Sequence, residues 1–303
     1  MGAEHFVTQR ALTLGTTNAG PLVGPIIIRA IMYHPPDVIS NSVPTDDDLN
    51  EFVELLNLAS TNVPLFSAVA PTNTWRLRAA VNFSFPTNIT LAAGSNAFLV
   101  GFNSANATQL AAFRSKWALS AAIPVYGPWS GKLDNSADKL DLERPDAPNL
   151  DGSVPFILVE RVQYADANPW PTGADGFGAA LHRNSYLGYA DDLANWSALP
   201  LPGVTMSDTD GDGMADWWEA NYGLNMLGND TTLDSDNDGL SNQQEFTART
   251  NPNDAASALQ LMVEHISSGI VRLNFEARPQ ISYAVQTNNS LSSGDWQTWQ
   301  QIA

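Results

Sequence analysis

The chain has 303 residues, a length typical of about two domains, and 44% of them are hydrophobic whereas only 15% are charged. Its 14 basic and 32 acidic residues give a formal net charge of −18, and this field disfavours nucleic acids and anionic membranes as partners. There is no cysteine, which excludes disulfides, thiolate nucleophiles and cysteine-ligated metal sites.

The beginning of the chain predicts neither a membrane span nor a signal peptide. The most apolar early run, Leu22–Tyr33, is short and is interrupted by Pro25 and Arg29. Residues 1–10 lack a basic start followed by an apolar block. Residues 1–23 are therefore predicted to be a linker or the end of a preceding repeat, and the chain to be a piece of a larger protein.

Residues 24–202 are predicted to form a β-sandwich. Short apolar runs alternate with turn residues, and 21 Gly and 19 Pro in the chain favour many turns over long helices. Val81–Phe85 alternates as a half-buried strand does, and only Ala105–Ser120 has a helical pattern. The seven predicted strands are Ile26–Tyr33, Phe52–Leu58, Trp75–Leu77, Val81–Phe85, Ala97–Phe102, Lys139–Glu143 and Phe156–Tyr164.

Several motifs in this region occur in the order of a known family. They include Ile28–Pro35, Glu51–Asn57, Gly176–Arg183 and a closing Asn195-Trp196. The region resembles the lamin tail domain, an immunoglobulin-like β-sandwich also found in secreted bacterial proteins. The resemblance implies that fold and an interaction role, and it supplies no catalytic residues.

Residues 205–257 carry a concentrated acidic repeat. They contain nine Asp and two Glu against one Arg, and two segments 26 residues apart match D-x-D-x-D-G-x5-E. This is the twelve-residue calcium loop, in which Gly at position 6 permits a sharp turn and Glu at position 12 binds through both oxygens. Position 7 adds a backbone carbonyl, and position 9 usually acts through water. The predicted calcium ligands are Asp208, Asp210, Asp212, Met214, Asp216 and Glu219, then Asp234, Asp236, Asp238, Leu240, Asn242 and Glu245.

Each loop is followed by a helical pattern, Met214–Tyr222 and Leu240–Ala248, but no helix is predicted before either loop. This arrangement differs from a helix–loop–helix EF-hand. It resembles the loop–helix repeats of dockerins and of bacterial thrombospondin type 3-like modules, which are often extracellular. Two Ca²⁺ ions are expected, with a structural role in stiffening a joint between β-modules.

Residues 258–303 alternate again, at Val271, Leu273 and Phe275 and then at Tyr283 and Val285. They are predicted to be part of a further β-domain. The predicted fold class is therefore mainly β: an immunoglobulin-like β-sandwich of the lamin tail type, a small loop–helix calcium module and a truncated C-terminal β segment.

Catalysis is not predicted, because the sequence has no G-x-S-x-G, H-E-x-x-H or P-loop motif and its four histidines lack ligand spacing. Glu54 lies within an apolar run, so a partner is expected, with Arg76 and Arg183 as the candidates. Trp129, Trp170 and Trp196 are expected to cap the sandwich core, with sugar stacking as the alternative.

The predicted function is a non-catalytic, calcium-stiffened structural or adhesion segment of a large secreted or cell-surface bacterial protein. The alternative is a carbohydrate-binding accessory module of a multidomain extracellular enzyme. Exposed, coplanar aromatic side chains would favour the alternative, and buried tryptophans would favour the first prediction. The expected partners are neighbouring domains of a longer chain, with an extracellular polysaccharide or a surface protein as further candidates.

Overall fold

A computed structural model describes residues 24–40, 42–267, 270–275, 283–287 and 296–302. The chain divides into two compact units, an N-terminal unit that ends at Ser207 and a C-terminal unit that begins at Asp208. The predicted linker, residues 1–23, lies outside the described residues. The structure is mainly β and confirms the predicted fold class at this level, with several sheets and few helices.

The N-terminal unit is built from short strands and one α-helix, α1 (Ala107–Lys116). Single turns of 3-10 helix cover Asp48–Asn50, Thr172–Ala174 and Leu193–Asn195. The strands are β1 (Ile26–Met32), β2 (Val38–Ser40), β3 (Val43–Thr45), β4 (Phe52–Asn57), β5 (Val63–Pro64), β6 (Arg76–Ala79), β7 (Val81–Ser84), β8 (Thr90–Leu91), β9 (Asn96–Val100), β10 (Val125–Tyr126), β11 (Ser130–Gly131), β12 (Ala137–Pro145), β13 (Phe156–Ala165), β14 (Ala180–Arg183) and β15 (Trp196–Leu199).

Two sheets form the body of this unit. One has six strands in the order β10-β9-β4-β1-β14-β15, and the other has five in the order β11-β7-β6-β12-β13. Strand β10 runs parallel to β9, and the other pairings within these two sheets are antiparallel. The ribbons β2–β3 and β5–β8 are separate. Strand β1 lies inside its sheet and is buried at six of its seven residues, as the run of isoleucines predicts.

A buried ion pair connects the two sheets. Strand β1 has a register irregularity between Ile28 and Ala30, and the Ile28 backbone N–H donates instead to Glu160 of β13 at 2.6 Å. The other oxygen of Glu160 accepts from Arg183 of β14, whose side chain is fully buried. The carboxylate thus satisfies a backbone donor and a guanidinium in the opposite sheet.

Helix α1 packs on an apolar cluster of the six-stranded sheet. Asn106 caps its first turn by accepting from Thr108 N and Gln109 N. Phe113 and Trp117 lie against Phe52, with ring centroids 6.2 and 5.5 Å away. The helical pattern predicted over 105–120 is therefore confirmed in a shorter helix whose end packs into the core.

The partner of Glu54 differs from the two expected. Its Oε1 accepts from Arg29 Nη1 at 2.9 Å and from Asn96 at 2.6 Å. Arg76 binds Glu143 at 2.6 Å, and Arg183 binds Glu160. The reason is strand order: β4 lies between β1, which carries Arg29, and β9, which carries Asn96.

The C-terminal unit contains two short helices and two hairpins among its described residues. The elements are α2 (Asp216–Tyr222), α3 (Asn242–Ala248), β16 (Met262–Ser267), β17 (Ile270–Asn274), β18 (Tyr283–Thr287) and β19 (Gln297–Ile302). Strands β16 and β17 pair, as do β18 and β19. No helix within the described ranges is long and apolar enough to cross a membrane.

Candidate calcium-binding site

The first acidic loop folds around its own aspartates. One carboxylate oxygen from each of Asp208, Asp210 and Asp212 lies within 4.8 Å of the others. The backbone N–H groups of Gly211 and Gly213 donate to Asp208 at 2.9 and 3.0 Å. Gly213 has φ +94°, a conformation that favours glycine, so the position 6 residue serves as its spacing predicts.

The second loop repeats this geometry 26 residues later. Carboxylate oxygens of Asp234, Asp236 and Asp238 also lie within 4.8 Å of one another. Gly239, at φ +97°, donates its N–H to Asp234 at 3.0 Å, and Leu240 donates to Asp238 at 2.8 Å. The sequence repeat is therefore a structural repeat.

The two glutamates at position 12 are fully buried without a counter-charge. Glu219 and Glu245 are both 0% exposed, and among the described residues none lies within hydrogen-bond geometry of either oxygen of either carboxylate. Four aspartates add one such buried oxygen each: Asp210, Asp230, Asp236 and Asp238. Eight buried carboxylate oxygens thus have no hydrogen-bond donor. Such a group of oxygens suits a hard cation such as Ca²⁺, which takes six to eight oxygen ligands.

The raised pKa values of Glu219 and Glu245 also favour a bound cation. Burial, followed by repulsion from Asp210 and Asp212, raises the pKa of Glu219 to about 7. Burial is also the main reason that the pKa of Glu245 rises to about 7; the nearby Thr250 hydroxyl opposes the rise, and Asp236 and Asp238 add to it. The ionised glutamates are therefore disfavoured until positive charge enters the loops.

The position 9 side chains, expected to act through water, are engaged by their own loops. Both carboxylate oxygens of Asp216 accept from Thr209, one from its N–H and one from its hydroxyl, each at 2.7 Å. Asn242 accepts from the Ser235 hydroxyl at 2.9 Å and donates to the Asp230 carbonyl at 3.1 Å. These contacts fasten the start of each loop to the helix that follows it.

One acidic residue outside the twelve-residue motifs belongs to the same cluster. Carboxylate oxygens of Asp230, Asp212 and Glu219 lie within 4.8 Å of one another, and Asp230 is 8% exposed. Its Oδ2 accepts from Asn225 N at 3.1 Å, whereas its Oδ1 has no partner. In the sequence, Asp230 is an isolated Asp in the spacer between the two loops. The spacing of the calcium-loop motif therefore does not identify it as a candidate ligand.

Aromatic side chains hold the two helices together. Trp218 of α2 contacts Tyr222 and, from α3, Phe246, with ring centroids 5.2 and 5.3 Å away. The guanidinium of Arg249 lies 5.0 Å from the ring centroid of Trp217. These rings form a small core between α2, which carries Glu219, and α3, which carries Glu245.

Comparison with protein families assigns this segment. Residues 208–223 and 234–255 match the bacterial TSP3 repeat. TSP3 repeats are calcium-binding structural repeats of extracellular proteins, so the predicted thrombospondin type 3-like segment is confirmed. No curated protein matches the chain. The match does not extend to the sandwich, and its resemblance to the lamin tail domain stays a prediction.

Proposed function

We propose that this chain is a non-catalytic structural segment of a secreted or cell-surface bacterial protein, and that two Ca²⁺ ions stiffen it. The observation that carries the proposal is the set of eight buried carboxylate oxygens without donors in residues 210–245. The match to an extracellular calcium-binding repeat supports both the ion and the setting.

Each ion would be held mainly by the residues of one loop. The first would take Asp208, Asp210, Asp212 and Glu219, with Asp230 completing the cluster, and the second would take Asp234, Asp236, Asp238 and Glu245. The carbonyls of Met214 and Leu240 are the proposed position 7 ligands. When bound, calcium supplies the positive charge that lets these carboxylates remain ionised and close together.

The proposed role is mechanical. The helices that carry Glu219 and Glu245 have seven residues each, too few to be stable alone. A bound ion would connect each helix to the loop before it, and the shared aromatic core would connect the loops to each other. The segment would then hold neighbouring β-modules, among them the lamin-tail-like sandwich, at a defined spacing on an extracellular surface.

The carbohydrate-binding alternative requires exposed, coplanar aromatic rings. In the described part of the N-terminal unit, Trp129 and Trp196 are only 5% and 4% exposed, and Trp170 is half-buried beside Trp196. These tryptophans pack in the sandwich, which supports the structural proposal over a sugar-binding face.

The test is a calorimetric Ca²⁺ titration of the metal-stripped chain. We expect two ions per chain, and one ion for each of the variants Glu219→Gln and Glu245→Gln. Extracellular modules can bind with dissociation constants of about 10⁻⁴ to 10⁻³ M, so the titration must reach that range. Glu264→Gln is the matched control, since Glu264 is exposed on β16 and pairs with Arg272. Unchanged stoichiometry in both loop variants would refute the proposed sites.

A further inference from the structure

A histidine and three aspartates meet at one edge of the N-terminal unit, away from the acidic loops in sequence. His34 follows β1, and its carbonyl accepts from Gly176 N at 3.1 Å. Asp37 and Asp46 flank the β2–β3 hairpin, in which Val38 pairs with Thr45. Because these two residues lie just outside the first pair of the ribbon, the hairpin base brings both carboxylates beside His34.

The imidazole of His34 is held in one orientation. Its Nδ1 lies 2.5 Å from Asp175 Oδ1. Because a carboxylate only accepts hydrogen bonds, Nδ1 is the donor in this contact, and Nε2 is the ring nitrogen left for a ligand. Gly176 lies beside the ring with φ +79°, a backbone conformation that favours glycine.

The carboxylates of Asp37 and Asp46 lie near Nε2 of His34. Nε2 lies 3.7 Å from Asp37 Oδ1, which is too long for a hydrogen bond. Ligand atoms of His34, Asp37 and Asp46 all lie within 4.8 Å of one another. A ring nitrogen and two carboxylate oxygens this close together match the ligand set of a metal site, and Asp175 on the other ring nitrogen is the outer-shell partner that metal-bound histidines have.

We propose that His34 Nε2, Asp37 and Asp46 bind a divalent transition-metal cation of the Zn²⁺ class, with Asp175 as the positioning residue for His34. Imidazole favours this class over Ca²⁺, for which all-oxygen sites such as the acidic loops are suited. Lys132 Nζ, 2.9 Å from Asp46 Oδ2 and half-exposed, neutralises Asp46 in the metal-free protein. Its flexible ammonium can withdraw when a metal takes its place.

The metal would fasten an exposed hairpin to the sandwich. Ile39 and Val43 on β2 and β3 are 70% and 59% exposed, and the ribbon pairs with neither large sheet. His34 extends from β1, which is buried at the centre of the six-stranded sheet. A bound cation would therefore join the hairpin base to the end of a buried inner strand.

The test is a Zn²⁺ titration of the full chain in saturating Ca²⁺, which keeps the acidic loops occupied. We expect one Zn²⁺ per chain. Asp37→Asn should weaken binding at least tenfold, and Asp175→Asn about 10- to 100-fold, since outer-shell partners have effects of that size. His265→Gln, which removes an exposed histidine of β16, should bind as the unchanged chain does. Equal thermal stability of the metal-free variants checks that they fold.

Nitrogen-15 NMR of the His34 ring separates metal binding from a simple ion pair. We expect the Nε2 resonance to shift on addition of Zn²⁺ while Nδ1 keeps its proton. Absence of Zn²⁺ binding up to 1 mM, or a ring protonated at both nitrogens that does not respond to Zn²⁺, would overturn the proposal. Binding that survives Asp37→Asn and Asp175→Asn but is lost in His265→Gln would overturn it as well.

Discussion

The two units of the chain differ in what neutralises their buried carboxylates. In the N-terminal unit, Glu160 is buried with a guanidinium on one oxygen and the Ile28 N–H on the other. In the described part of the C-terminal unit, Glu219 and Glu245 are buried with no basic side chain or backbone N–H hydrogen-bonded to either carboxylate. A charge in a low-dielectric interior needs an opposite charge nearby. The sandwich encodes that charge in its own sequence, whereas the acidic segment must obtain it from solution.

A fourth glutamate, Glu51, is buried in its protonated form. Glu51 is 1% exposed and its Oε2 accepts from Leu133 N at 3.2 Å. Burial raises the pKa of Glu51 to about 8, with Asp48 acting in the same direction, so the side chain is mostly protonated at neutral pH. A proton, a guanidinium and a metal ion are thus three ways to keep a carboxylate inside this protein.

Removal of calcium should have the largest effect, and it should destabilise the C-terminal unit alone. A ligand at 100 times its dissociation constant stabilises the folded state by about 2.7 kcal/mol, so two ions contribute about 5 kcal/mol. We expect chelation with EDTA to lower the unfolding transition of the C-terminal unit and to leave that of the N-terminal unit in place, as measured by scanning calorimetry. Mg²⁺ at equal concentration is the control, since it fits such loops poorly. Transitions that do not respond to Ca²⁺ would contradict the account.

Removal of the internal counter-charge should have a comparable effect on the sandwich. Arg183→Met leaves Glu160 buried without its guanidinium, and such a loss typically costs about 4 kcal/mol. We expect urea unfolding of the N-terminal unit to show this loss whether or not Ca²⁺ is present. Arg272→Met, which breaks an exposed pair with Glu264, should cost less than about 1 kcal/mol. Equal effects of the two variants would show that burial of the pair is unimportant.

Because Glu51 is buried in its protonated form, it should make the folded state less stable as the pH rises. A salt-bridged carboxylate has the opposite effect. Because the pKa of Glu51 is higher in the folded state, its contribution to stability is complete below about pH 4.5 and is lost as the pH rises through 8. Glu51→Gln should remove this dependence and make the unit more stable than the unchanged chain at pH 9, by about 2 kcal/mol after allowance for residual hydration. Parallel stability–pH curves for both proteins would contradict the assignment.

The smallest expected effect concerns Asp230. If Asp230 contributes to the first ion site, Asp230→Asn should weaken one of the two calcium sites about tenfold, or about 1.4 kcal/mol, and leave the other unchanged. The isosteric control is Asp254→Asn, because Asp254 is exposed and lies outside every cluster of metal ligands in the described ranges. A Ca²⁺ titration that cannot distinguish Asp230→Asn from this control would remove Asp230 from the site.

Local patterns made much of the fold and the loops predictable. The isoleucine run of β1 and the alternation of β7 (Val81–Ser84) depend only on neighbouring residues, and both are confirmed. The two acidic loops belong to the same class, since the proposed ligands of each motif lie within twelve residues. Strand β14 is different: it is as short as β7 but is buried at all four residues, among them His182 and Arg183, so it has no alternation that would identify it as a strand.

What the sequence could not supply depends on strand order and on contacts between segments. Arg29 becomes the partner of Glu54 because β1 and β4 are neighbours, and no spacing of residues indicates that pairing. Asp230 joins Asp212 and Glu219 because the chain returns between the two loops. Likewise, the use of Asp216 to hold Thr209 follows from how the loop closes on its helix, and ligand positions alone do not predict it.

We propose that the acidic segment requires an ion to keep its structure and that the sandwich does not. Amide hydrogen exchange measured with Ca²⁺ and with EDTA tests it residue by residue. We predict that chelation removes the protection of amides in α2 and α3, and of Gly213 and Gly239 in the loops, while β1, β4 and β9 keep theirs. Protection of α2 and α3 that is the same with and without Ca²⁺ would contradict the claim.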